Sequence, residues 1–174
     1  MKKFQIAVIG SAGQEEYPLG SLEFKKLYDM GYEVGKFLAH NNCFILTGGK
    51  SGIMEAASKW SHEGWGVNIG FVKWSSRNVA NPYVDIEIVT NMGHGGDAFL
   101  IPYSADGAIV IGWGAWTLKE IAGFYLQGKP IVLMENSWWW AKKLGEEPFD
   151  ERKIVPFFIE NTPESAVKKL LSFL

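Results

Sequence analysis

Residues 43–58 read CFILTGGKSGIMEAAS. A short apolar run ends in the glycine turn Gly48-Gly49-Lys50-Ser51-Gly52. Residues 51–64, SGIMEAASKWSHEG, then have the makeup of a helix that Gly64 stops. Strand, tight turn, helix is the repeating unit of a parallel sheet, and it recurs outward in both directions. Upstream, Phe4 to Ile9 is a strand candidate. Residues 21–40 place Leu22, Leu27, Tyr28, Val34, Phe37 and Leu38 at helical spacing, with Ser21 at the capping position. Downstream, 66–72, 85–90, 107–112 and 129–134 read as strands. A short helix after Gly96 should be kinked or ended by Pro102. Residues 117–128 form a helix closed by Gly128, and 162–174 form one capped by Thr162 with Pro163 in its first turn. The strand candidates are mostly continuously apolar, as strands covered on both faces should be. The expected fold is α/β: a single-domain Rossmann-like, doubly wound, mostly parallel sheet spanning 1–174, with helices on both faces.

Composition agrees with one soluble core. The chain has 174 residues, 47% apolar, with 17 Lys+Arg against 19 Asp+Glu and a formal charge of −2. That balance argues against gripping a nucleic-acid backbone but leaves room for a small anion. The single cysteine, Cys43, excludes an internal disulfide and a cysteine-based zinc cluster. The start, MKKFQIAVIGSAG, reads better as a first strand than as a secretory signal. No run approaches the roughly 18 apolar residues of a spanning helix, so neither membrane nor nucleic acid is an expected partner. The cytoplasm is the expected location.

In doubly wound sheets ligands bind beyond the carboxyl ends of the strands. Three strand-to-helix turns there are glycine-rich: Gly10-Ser11-Ala12-Gly13, Gly48 to Gly52, and Gly112-Trp113-Gly114-Ala115-Trp116-Thr117. Glycine allows close backbone approach, and a helix starting afterwards adds a partial positive charge. Each turn alone is equally explained by tight turning; three on one rim point to a nucleotide-sized anion. There is no G-x-x-x-x-G-K-[ST] loop, and GSAGQEEYPLG does not fit G-x-G-x-x-G opening a helix.

TGGKSGIMEAAS (47–58), including Met54, resembles the "GG-x-x-G-x-M-x-A" loop of the LOG (Lonely Guy) superfamily. IGWGAWTLKEIA (111–122) resembles its second signature, P-G-G-x-G-T-x-x-E. ANPYVDIEIVTNMG (80–93) and GKPIVLM fit between and after them, and the ending of the second signature is closest to the molybdenum cofactor carrier branch. The resemblance covers roughly residues 4–134. It implies either a carrier or a phosphoribohydrolase that splits a nucleoside 5′-monophosphate into free base and ribose 5-phosphate. The glutamate used by such hydrolases maps onto Glu120, where a carboxylate would hold ribose hydroxyls or stabilise a cationic sugar. The family's arginine maps onto Gly96. The two arginines are Arg77 and Arg152, and only Arg77 falls on the expected rim. Trp113 and Trp116 replace usual glycines and offer a stacking surface for a base or pterin. The superfamily's older lysine decarboxylase label has no support, because no lysine is marked out for a Schiff base.

Bland readings stand beside these. Glu120, read as first-turn, would suit a helix dipole. His94 would be solvated or capping, Asp97 a helix cap, Lys50 solvent-facing and Asn81-Pro82 a turn. Cys43 would be a core residue, and His40 and His62 dipole partners rather than metal ligands. Three consecutive indoles, Trp138-Trp139-Trp140, cannot share one core, so a subunit contact is favoured.

The expectation is therefore a cofactor-binding protein. Its nucleotide- or phosphate-binding residues are Gly10, Ser11, Gly48, Gly49, Lys50, Ser51, Gly52, Met54, Asn81, His94, Asp97, Gly112, Gly114, Ala115, Thr117 and Glu120. No metal ligand is expected and no cofactor is required; a nucleoside monophosphate or a molybdopterin-type cofactor would fit. The resemblance also implies a homo-oligomer, dimer or tetramer. The alternatives are a hydrolase with Glu120 catalytic and Arg77 or His94 replacing the arginine, or a non-catalytic interaction module around the tryptophans.

Overall fold

The computed structural model describes residues 3–12, 20–93, 95–112, 114–146 and 148–174, without the side chains of Asp97, Trp139, Trp140 and Lys142. Seven strands form one parallel sheet: β1 (Gln5–Gly10), β2 (Phe44–Thr47), β3 (Val67–Val72), β4 (Ile86–Val89), β5 (Gly107–Ile111), β6 (Ile131–Met134) and β7 (Phe157–Glu160). Their order is β4-β3-β2-β1-β5-β6-β7. Six helices connect or follow them: α1 (Leu22–His40), α2 (Ile53–Glu63), α3 (Asp97–Ser104), α4 (Ala115–Leu126), α5 (Trp139–Glu146) and α6 (Pro163–Leu171). The chain winds outward from β1 to β4, returns to β5 beside β1, and winds outward again to β7. The order therefore reverses between β1 and β5, where Ile6 to Gly10 pair with Gly107 to Ile111.

Alternation along each strand divides the core into two layers. Ile6, Val8, Ile45, Ile109 and Ile111 pack with Leu27, Val34 and Leu38 of α1, Ile53 of α2 and Leu170 of α6. Ala7, Ile9, Leu46, Phe71 and Val110 pack on the other face with Ile101 of α3, Ile121 and Phe124 of α4 and Trp138. Each fully buried large apolar side chain in these layers contributes about 1.5–3 kcal/mol relative to exposure.

The expected helices and strands are present, with shifts at their ends. Ser21 caps α1 by accepting from the Phe24 amide at 3.1 Å, and Thr162 caps α6 by accepting from Ser165 N. α4 begins at Ala115 rather than 117, so Glu120 belongs to its second turn. That removes the first-turn dipole explanation for this residue. Pro102 does not end α3, which continues to Ser104. Its ring packs beside Gly123 of α4, where an added Cβ would lie 2.8 Å from Pro102 Cγ. β7 and α5 are elements that periodicity did not indicate. Trp138 is buried in the α3–α4 layer, so the first of the three indoles belongs to the core. No helix among the described residues is long and apolar enough to cross a membrane.

Candidate functional site

The carboxyl ends of β1, β2 and β5 meet where the strand order reverses. Gly10 ends β1 with φ +153°, and a Cβ there would sit 1.8 Å from the Ile111 carbonyl oxygen of β5. No side chain fits between these two strands at the rim. One residue on, Ser11 N donates to Ile111 O at 3.4 Å, and Ser11 O accepts from Ile53 N, the first amide of α2, at 3.3 Å. Ser51 Oγ donates to Ala12 O at 3.2 Å. Gly52 has φ +71°, and a Cβ on it would lie 2.7 Å from the carbonyl carbon and oxygen of Ala12. An added Cβ on Gly112 would contact Ser11 Cβ at 3.3 Å and Ile53 Cδ1 at 3.4 Å. Among the described residues, 10–12, 51–53 and 111–112 of the three glycine turns therefore pack directly against one another.

Three helices begin on this rim with a glycine at the capping position: Gly52 for α2, Gly96 for α3 and Gly114 for α4. Among the described residues none of these caps makes a side-chain hydrogen bond. By contrast α1 and α6 have hydroxyl caps. Glycine caps leave the first-turn amides to backbone, water or ligand, and the dipoles favour a negative charge in front of them.

The sequence-selected residues take different places around this surface. Gly48, Gly49 and Met54 are buried, Thr117 is buried in the first turn of α4, and Lys50, Ser51, Gly114 and Glu120 are partly exposed. Ala115 is exposed at the start of α4. Asn81 is a brace for the second turn. Its backbone N donates to Gly49 O at 2.8 Å, its Nδ2 to Lys50 O at 2.9 Å, and its Oδ1 accepts from Tyr83 N. Gly13, His94 and Trp113 lie outside the described residues. Asp97 is the first residue of α3, and its side chain also lies outside the description.

Arg77 sits in the exposed loop after β3, which Glu87 of β4 organises. The Glu87 carboxylate accepts from Asn78 N at 2.6 Å and from Val79 N and Ala80 N at 2.9 Å. These bonds, led by that from Asn78 and joined by the nearby Arg77 charge, hold its carboxyl below the usual range. Arg77 thus has a carboxylate neighbour at the β4 edge of the sheet, with three strands between β4 and β5. The other arginine, Arg152, is paired with Asp150. Gly96, the position of the family arginine, has no space for a side chain: its Cβ would lie 2.1 Å from Met92 Cβ.

Sequence reasoning missed Glu87 and Lys119. The Lys119 ammonium lies 4.5 Å from the Phe99 ring centroid and 5.5 Å from that of Trp116, and it donates to Gly95 O at 3.4 Å. It joins the start of α4 to the turn before α3, beside two aromatic rings that are each about half exposed. A lysine at this spacing reads as solvated, and only the three-dimensional packing gives it these neighbours. Among the described residues no group of three or more His, Cys, Asp or Glu could hold a metal ion.

A relative from Archaeoglobus fulgidus, an uncharacterised protein, is 30% identical over 135 residues, covering 78% of this chain and 82% of the relative. The solved molybdenum cofactor binding protein from Rippkaea orientalis superposes with a TM-score of 0.84 at 27% identity, covering 99% of this chain and 98% of that one. The molybdenum cofactor carrier protein from Chlamydomonas reinhardtii superposes with a TM-score of 0.78 at 27% identity, covering 98% and 99%. The model of the SLOG cluster4 family matches residues 3–167, a span that includes both glycine signatures. The chain belongs to the SLOG cluster4 family.

Proposed function

We propose that this protein binds a phosphorylated, nucleotide-like cofactor of the molybdopterin type at the carboxyl rim of its sheet and acts as its carrier. The observation that carries this is the packing of the glycine turns against one another, with α2 and α4 starting from them and α3 starting beside α4, each without a side-chain cap. Such a surface offers backbone N–H groups and converging dipoles to a phosphate at little reorganisation cost. The names of the Rippkaea and Chlamydomonas proteins support a cofactor of this class.

In this reading Gly48 to Gly52 and Gly112 to Thr117 hold the phosphate, and Ser11 belongs to the same floor. Glu120, one turn into α4, accepts hydrogen bonds from hydroxyl or amino groups of the organic part. The half-exposed Trp116 supplies a flat apolar surface on which a pterin or base stacks. The reading includes a cytoplasmic homo-oligomer. Phe99, Tyr103 and Leu126, exposed on α3 and α4, give it an apolar face to bury.

Glu120 also favours a second reading, a phosphoribohydrolase acting on nucleoside 5′-monophosphates. The closed position at Gly96 weighs against it, because the superfamily's hydrolases use an arginine there. One experiment separates the two. The protein is incubated with AMP and other nucleoside monophosphates, free base is followed chromatographically, and binding of the same ligands is titrated in parallel. Saturable binding without base release supports the carrier. Base release that Glu120→Gln abolishes overturns it in favour of the enzyme.

A further inference from the structure

We propose that a cavity at the carboxyl ends of β5 and β6 receives a guanine-type ring, by the edge that carries a ring N–H beside an amino group. This rests on the cofactor-binding reading above and names a ring of the ligand whose phosphate lies on the glycine turns. The cavity measures about 370 Å³, within the range of small-molecule sites. One wall is the start of α1, with Glu23 and Leu27. The other is the 3-10 turn Glu135–Ser137 and Trp138, which follow β6 directly.

Packing around the glycine turns places this cavity. An added Cβ on Gly31 of α1 would lie 3.1 Å from Ile53 O, so Gly31 is level with the start of α2. Ile53 Cδ1 in turn would lie 3.3 Å from a Cβ on Gly10 and 3.4 Å from one on Gly112. α1 descends from the rim, so Leu27 and Glu23 stand about 6 and 12 Å further up its axis than Gly31. Both therefore rise past the level of the glycine contact. Leu27 belongs to the α1 layer and Trp138 to the α3–α4 layer, so the cavity spans the top of the sheet from one face to the other. β5, which leads into Gly112, lies between β1 and β6. Two strand spacings, about 10 Å, separate those two strands. The cavity is thus within a nucleotide's length of the Gly10–Gly112 contact.

The lining decides the ligand class. Leu27, Ser137 and Trp138 are buried and close the inner end. Glu135 is half-buried, while Glu23, Lys26 and Asn136 are exposed at the mouth. Two carboxylates against one ammonium disfavour a phosphate here and leave that end of the ligand to the glycine turns. Ionised carboxylates accept hydrogen bonds and donate none, so the ligand must bring the N–H groups. Ser137 Oγ already donates to Met134 O at 2.6 Å, so toward the cavity it too only accepts. A guanine-type ring presents two parallel N–H donors, from ring and amino group, to a single carboxylate. Glu135, the less exposed of the two, accepts this pair, and Asn136 donates to the oxo group beside it. Adenine offers one amino group beside a bare ring nitrogen, which a carboxylate repels. Guanine and pterin share the donor edge. Trp116, on α4, remains for stacking a second ring where the ligand has two.

The test uses the full chain and its Glu135→Gln variant, with affinities measured by calorimetry for GMP, IMP, AMP and a pterin phosphate. The wild type should bind GMP or the pterin phosphate about ten- to hundredfold more tightly than AMP, as expected for hydrogen bonds to a charged acceptor. IMP keeps the ring N–H without the amino group and should fall between GMP and AMP. Glu135→Gln should erase the preference and leave AMP affinity unchanged, whereas a merely structural role would weaken all four alike. Preference for GMP alone identifies a nucleobase and for the pterin phosphate alone a pteridine; either supports the donor edge. Should the variant fail to fold, carbodiimide labelling of wild-type carboxylates, read by mass spectrometry, takes its place. Glu135 should be shielded by the preferred ligand and not by AMP. Equal affinity for AMP and the other ligands, a preference that survives in folded Glu135→Gln, or labelling unaffected by ligand overturns the assignment while leaving the cofactor reading intact. A wild type that binds none of the four overturns both.

Discussion

Gly10→Ala is the sharpest perturbation of the strand reversal. The new methyl would sit 1.8 Å from Ile111 O and 2.8 Å from Ile111 C, whereas ordinary contact begins near 3.4 Å. Both obstructing atoms are backbone, so no side chain can rotate away. β1 and β5 must part by more than an ångström at the rim, and the Ser11 N to Ile111 O bond must lengthen beyond its present 3.4 Å. The disfavoured backbone angle costs about 1–3 kcal/mol, and forced separation in a packed layer about 1–3 kcal/mol more. The sum, about 2–6 kcal/mol, is a large part of a typical domain's stability. For a chain of this size each kcal/mol moves the melting temperature by about 2–4 °C. Calorimetric melting of Gly10→Ala should therefore fall by about 4–24 °C. Gly20→Ala is the matched control, since Gly20 has φ +84° but nothing within 4 Å of an added Cβ. It carries the angular strain without the collision. If Gly10→Ala melts no lower than Gly20→Ala, the β1–β5 contact is not the constraint described.

Three further outcomes follow from other parts of the fold. Asp150 accepts hydrogen bonds from Arg152 and from Tyr125 OH at 2.6 Å, and these, Arg152 first, hold its carboxyl down at about 2 against an ordinary 3.8. A depressed carboxyl pKa stabilises the fold above the unfolded value and loses that contribution as pH falls through the folded one. The stability gap between wild type and Asp150→Asn should therefore be full at pH 5–7 and close between about pH 4 and 2 in denaturant titrations; a constant gap would refute the pairing. Cys43 is buried and its thiol is pushed up to about 11 by burial, so a thiol-reactive dye at pH 7–8 should label it only at the rate of unfolding. Fast native-state labelling would contradict its burial. Asp85→Ala removes the acceptor for Asn68 N and Nδ2 at 2.9 and 3.1 Å and for His62 at 2.8 Å, leaving a buried amide short of partners. It should lower unfolding free energy by about 1–3 kcal/mol, measured by urea denaturation, without altering ligand affinity at the opposite end of the sheet.

The parallel sheet was legible because strand and helix alternate with strong, mostly uninterrupted apolar runs, and because Ser21, Gly64 and Thr162 mark helix ends. β7 escaped notice because FFIE is only four residues long and follows Pro156. α5 begins inside the tryptophan run, whose bulk read as surface-seeking, while the α3–α4 layer absorbs Trp138. In the site, glycine spacing located the turns, since turning and close approach both require glycine. It did not show that the turns touch, which depends on β1 lying between β2 and β5. Asn81 was found by resemblance, but its bonds to the 48–52 turn emerge only in three dimensions. Glu87 was invisible because a charged residue in a short strand reads as solvated, and the amides of Asn78, Val79 and Ala80 that it gathers come to it only in three dimensions.

The central claim is that the three joined glycine turns hold a phosphorylated cofactor. Its most direct test is an anaerobic titration of the full chain with molybdenum cofactor freshly released from a molybdoenzyme, followed by tryptophan emission, with inorganic phosphate and unphosphorylated pterin as controls. The account predicts a saturable change with one site per chain, reversed by Gly52→Ala, and weak responses to either control alone. No saturable response to the cofactor, from protein that melts cooperatively, would contradict it.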